Sequence, residues 1–235
     1  MIKKYQSLNF RKDDWKFSGY HAVKLCGMGI PMGLQYSITA IGSVILQTAV
    51  NAMGEVTVAA VTAGSRISML ACCPFDAMGS TMATFGGQNV GAGKLDRVDK
   101  GLKDSIKLGI IYAIVAFLFM LVFGRKMALL FLDSPTDEII TYIYYFVLAN
   151  SSAYILLALV NIVRFMIQGL GFSTFAILAG VAEMFARAIA GFVLVPRFGY
   201  LFVILASPLA WVFADAFLIP AYLHVMKKLR QQIKG

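Results

Sequence analysis

Charge is what this sequence has least of. Asp, Glu, Lys and Arg together make up 14% of its 235 residues, where a soluble domain carries about 25%. A water-covered surface over most of the chain is thereby excluded. Histidine occurs only as His21 and His224, and cysteine only as Cys26, Cys72 and Cys73. None of these falls at metal-ligand spacing. Cys72 and Cys73 are adjacent inside an apolar run and read as small buried hydrophobes. GxSxG, HExxH and paired-carboxylate constellations are all missing, which argues against an enzyme. No short apolar core with a small-residue cleavage site opens the chain, so its first apolar run reads as a retained span.

What the chain has in excess is apolar sequence, at 59% of residues and a mean hydropathy of +0.76. It falls into runs at 28–53, 56–84, 108–132, 139–163, 172–195 and 200–223. Each reaches the roughly 20 residues an α-helix needs to cross about 30 Å of hydrocarbon. Only helices and closed barrels satisfy every backbone polar group in lipid. Barrel strands alternate in polarity over about 10 residues, whereas these runs are continuous. The reading is therefore an all-α integral membrane protein, a six-transmembrane-helix bundle. Residues 1–27 form a basic segment, 28–226 the bundle and 227–235 a basic tail.

The net charge of +9 lies in alternate gaps between the runs. With the N-terminus inside, the inner segments hold 16 of the 21 basic residues, counting Arg164 after the fourth run. The outer loops hold only Arg125, Lys126 and Arg197. This bias puts both termini in the cytoplasm, with the protein in the plasma (inner) membrane. The basic loops meet anionic lipid, so the bilayer and not nucleic acid is the partner. Between the second and third runs, Gly86 to Val98 reads GGQNVGAGKLDRV. Its glycines are expected to end the helix. From Lys94, Val98, Leu102 and Ile106 repeat every four residues and predict an amphipathic helix on the inner surface. The segment Asp133 to Glu138 reads as an outer turn and helix start.

Polar residues inside the spans fall into lines. Gln35, Thr39, Ser43, Gln47 and Asn51 repeat every four residues along span 1. Span 2 carries Ser68, Cys72, Asp76, Ser80, Thr84 and Gln88, and span 4 places Asn150, Tyr154 and Asn161 on one side. Polar groups facing lipid are costly, so these lines face protein or water. Two readings stay open: interhelical hydrogen bonds, or the wall of a hydrated substrate cleft. Glu183 and Arg187 share a face of span 5 and can pair. Asp215 in span 6 has no basic residue at helical spacing, so it is a candidate for proton or cation binding, with Glu183 as a second candidate. Asp76 reads as structural. Arg66 needs a partner from another helix or water. Pro31, Pro74 and Pro208 lie within spans and permit bending.

Two passages resemble the multidrug and toxic compound extrusion (MATE) transporter family. They are GIPMGLQYSITAIGSVILQTAVNAMG, Gly29 to Gly54, and MATFGGQNVGAGKLDRV, Met82 to Val98. The resemblance continues through all six runs. It implies twelve helices in two six-helix lobes around a central cleft, with this chain as the C-terminal lobe and residues 1–27 as the inter-lobe segment. It further implies antiport of amphiphilic, often cationic compounds against H⁺ or Na⁺, with no other cofactor and with a second six-helix lobe as partner. That lobe would be the missing N-terminal half or a second copy. Some family members carry coupling carboxylates on the first and fourth helices of this lobe, where this sequence has neutral Gln35, Gln47 and Asn150. Arginines in the cleft would suit a related lipid-linked sugar flippase or polysaccharide exporter, and an inactive truncated lobe is a third reading.

Overall fold

The computed structural model describes residues 17–132 and 135–234. It contains α1 (Gly19–Asn51), α2 (Glu55–Gly91), α3 (Leu95–Ala128), α4 (Asp137–Ser152), α5 (Tyr154–Gly169), α6 (Ser173–Ile189), α7 (Val195–Phe198) and α8 (Tyr200–Lys234). A π-helical turn, Ala190–Leu194, joins α6 to α7. There is no strand among the described residues. Among the described residues five helical stretches are long and apolar enough to cross a membrane, and six spans result if the bent pair α4–α5 counts as one. Most of the inter-lobe segment, residues 1–16, lies outside the described residues, as do Asp133 and Ser134 of the outer turn. Thr136 caps α4 by accepting from the Ile139 backbone N–H.

The expected single span 139–163 is instead two helices meeting at 51° at Ala153. Three consecutive polar side chains explain the break. Asn150 donates to the Phe146 carbonyl (2.8 Å), Ser151 to Leu148 (3.1 Å) and Ser152 to Ala149 (2.7 Å). Each bonds a carbonyl of its own helix and competes with the backbone ladder. The bend turns α5 into the centre of the bundle, between α2, α3, α6 and α8. Every residue from Val160 to Gln168 is buried as a result.

Two further expectations change around the glycine-rich turn. Helix α2 does not end at Gly86 but continues to Gly91, and of the glycines from 86 to 93 only Gly93 has a positive φ, +69°. Gly86 and Gly87 instead let α2 approach α5 closely, at Met166 and Gly169. The basic segment after Lys94 is not a separate surface helix. It is the first part of α3, because its buried stripe of Leu95, Val98, Leu102 and Ser105 runs on without a break into Gly109, Ala113, Ala116 and Met120.

Helix α1 packs chiefly on α6. Gly42 lies against the Met184 backbone and the Arg187 stem, and Gly191 lies against Ile45 and Leu46. The opposite side of α1 is open, with Leu25, Ile30, Leu34, Ile41 and Val44 exposed. Exposed apolar surface on this scale needs lipid or another protein to cover it.

Candidate functional site

A cavity of about 350 Å³ opens where α1, α2, α5, α6 and α8 converge. That is room for on the order of ten waters. Gln35, Tyr36 and Thr39 form its α1 wall, and Cys72 and Asp76 its α2 wall. Asn161 and Arg164 face it from α5, Glu183 and Arg187 from α6, and Trp211 from α8.

Its floor is a charge cluster. Glu183, 2% exposed, accepts from Arg164 on α5 and from Arg187 one turn along α6 at 3.3 Å. The two arginines are 5% and 7% exposed. Burying charge this deeply is costly unless the charges are paired. One carboxylate here answers two guanidiniums. Asp215 lies one turn beyond Trp211, 5% exposed, and neither of its oxygens has a hydrogen-bond partner among the described residues. It is near enough to Arg164 and Glu183 to feel both charges. Arg164 Nε, Arg187 Nη1, Thr39 Oγ1 and Gln168 Oε1 are likewise buried and unpaired. Buried polar atoms without partners are rare in folded proteins, so those of Thr39, Arg164 and Arg187 on one cavity call for water or a guest.

Two other bonds set the walls. Gln168 on α5 donates to Gln35 on α1. Asn161 Nδ2 donates to Asp76 at 3.0 Å. Asp76 thus lines the cavity in addition to tying α2 to α5.

Of the polar positions picked out in span 1, the cavity takes in Gln35 and Thr39. Ser43 donates to the Thr39 carbonyl (3.2 Å) and Gln47 to Asn51 (2.8 Å), farther along α1 and outside the cavity. Of the span 4 trio only Asn161 reaches it. Asn150 is consumed by its own helix. Tyr154 is fully buried against Phe75 and Trp211, at ring distances of 5.7 Å and 6.5 Å. Arg66 is exposed on α2 and does not line the cavity. Cys73 is exposed, whereas Cys72 lines the cavity. Sequence reasoning missed Arg164 and Gln168. It placed Arg164 among the inner-loop basic residues, and the α4–α5 bend carries it into the core. The one available signal was its place three residues after Asn161 and four before Gln168, on one face of an otherwise apolar stretch.

The family model MatE matches residues 31–201. The chain belongs to the MatE family. Solved MATE structures share the fold. An outward-facing multidrug resistance MATE family transporter of the MOP superfamily superposes with a TM-score of 0.87 at 18% identity, over 98% of this chain and 52% of that one. A MATE crystallised in complex with MaL6 gives 0.85 at 18% identity, over 100% and 52%. A MOP superfamily transporter from Pyrococcus furiosus, described as having a binding pocket of reverse polarity, gives 0.71 at 18% identity, over 83% and 43%. No curated protein matches the chain. The chain spans about half the length of the solved MATE structures it matches. It is a membrane-embedded multi-pass half of the MATE fold.

Proposed function

We propose that this chain is the C-terminal six-helix lobe of a secondary transporter that exports amphiphilic, often cationic compounds in antiport with H⁺ or Na⁺. It would work from the plasma membrane with both termini cytoplasmic. A single lobe has nothing to rock against, so transport requires a second lobe, supplied as the other half or as a second copy. Gln35, Thr39 and Asn161 form this lobe's share of the substrate cleft. Ser43, Gln47 and Asn51 continue the polar line along α1 toward the second lobe.

One observation carries the reading: Asp215 is a buried carboxyl with no hydrogen-bond partner among the described residues, set beside the cluster in which Glu183 holds Arg164 and Arg187. Ionisable residues inside membrane proteins are rare and mark ion or proton paths. Glu183 is less suited to exchange an ion, because two arginines hold it. It keeps the cluster assembled.

The test is export of a fluorescent organic cation from proteoliposomes holding the chain with its second lobe, under an imposed H⁺ or Na⁺ gradient. One gradient should drive export. Asp215→Asn should lose gradient-driven export and keep cation binding. Unchanged gradient-driven export in Asp215→Asn would move the coupling site to the other lobe.

A further inference from the structure

The basic ends of α3 and α8 meet well away from the central cavity. Asp99 on α3 accepts from the Tyr222 hydroxyl at 2.8 Å and from Arg230 Nη2, both on α8. One carboxylate clasps the two helix ends, and both of its oxygens are occupied. Beside the clasp lies a groove of about 330 Å³. Leu223 and Met226 form its apolar stretch, and Lys227, Arg230 and Gln231 its polar end. The change from apolar to basic falls where the last apolar run gives way to the basic tail, so the groove lies at the depth of the lipid headgroups.

The charges in this groove do not cancel. Among the residues that line it, Lys227 and Arg230 outnumber Asp99. Arg230 is engaged through Nη2 alone and its side chain is about half exposed (52%), which leaves donors for another acceptor. Lys227 has no acceptor among the described residues. Its neighbour Lys228 is turned the other way, 5.3 Å over the ring of Phe172. The groove therefore offers a compact anion site directly joined to a greasy channel, where Leu223 is 64% exposed.

We propose that this groove binds an anionic phospholipid, its phosphate held by Lys227 and Arg230 and its acyl chains lying along Leu223 and Met226. Basic pockets between helices at a membrane edge recognise such headgroups by charge. A free phosphate would meet the same two side chains but leave the apolar stretch bare. A zwitterionic lipid would fill the apolar stretch without the matching net charge. Through Asp99, the bound lipid would sit against the only side-chain link between these two helix ends among the described residues.

The test is native mass spectrometry of the full chain with phosphatidylglycerol, phosphatidylcholine or inorganic phosphate added. Phosphatidylglycerol should be retained over phosphatidylcholine, and Lys227→Glu should weaken that retention about tenfold. Lys227 makes neither bond of the Asp99 clasp, so Lys227→Glu removes no contact between the two helices among the described residues. Lys228→Glu, one residue away with the same charge change, should retain the lipid. Equal losses in the two variants would show diffuse surface attraction and overturn the site. Equal retention of phosphatidylcholine would also overturn it. Displacement of the lipid by millimolar inorganic phosphate would reassign it to a soluble anion.

Discussion

Glu183 is the residue on which the interior of this lobe turns. Two guanidiniums from two helices converge on it, so its removal strands both. Breaking a buried pair in this way costs about 3–5 kcal/mol. Glu183→Gln should therefore lower the thermal unfolding midpoint far more than Arg187→Ala, which leaves Glu183 paired with Arg164. The double variant should not recover, because Arg164 stays orphaned, and only a third change at Arg164 restores balance. Recovery in the double variant would mean that Arg164 is not bound to Glu183. Asp215→Asn breaks no hydrogen bond among the described residues, so its unfolding midpoint should fall far less than that of Glu183→Gln. A large loss on Asp215→Asn would reveal a partner and make that carboxyl structural. The Glu183–Arg187 pair was legible because its members stand one turn apart. Arg164 was not, because its partner lies 19 residues away in sequence, on the next helix beyond the α5–α6 turn.

At the scale of the helices, glycine sets how close α5 can come to α2. A Cβ on Gly169 would run into the Ala83 carbonyl oxygen, whereas one on Gly91 would meet nothing within 4 Å. Gly169→Ala should cost about 1–3 kcal/mol through forced separation of the two helices. Gly91→Ala should be close to neutral, and both are read from unfolding midpoints in detergent. Similar effects from the two would deny the close contact. The six apolar runs were legible because hydropathy alone marks them. The bend at Ala153 was not, since a window average cannot register that Asn150, Ser151 and Ser152 bond their own carbonyls. The amphipathic segment after Lys94 showed its stripe correctly. Whether that stripe faced lipid or protein depended on α2 and α5, which local sequence does not contain.

At the scale of the whole molecule, the proposed function makes this lobe half of a cleft. On that reading a second lobe covers the open α1 face and closes the polar cavity into a path. The charge bias predicts the topology. In a cysteine-free background, Cys at position 136 should react with an impermeant thiol reagent in intact cells, and Cys at position 100 should not. Labelling at position 100 from outside would invert the orientation. We propose the cavity between α1, α5 and α6 as the substrate path, and thiol accessibility at Thr39 probes it, in the assembly with its second lobe and without native cysteines. Thr39→Cys should react with a small hydrophilic thiol reagent, and a transported organic cation should slow that reaction. Ile111→Cys, on the exposed face of α3, should stay unreactive. A Thr39→Cys that never reacts, or that reacts at the same rate with the cation present, would contradict the account.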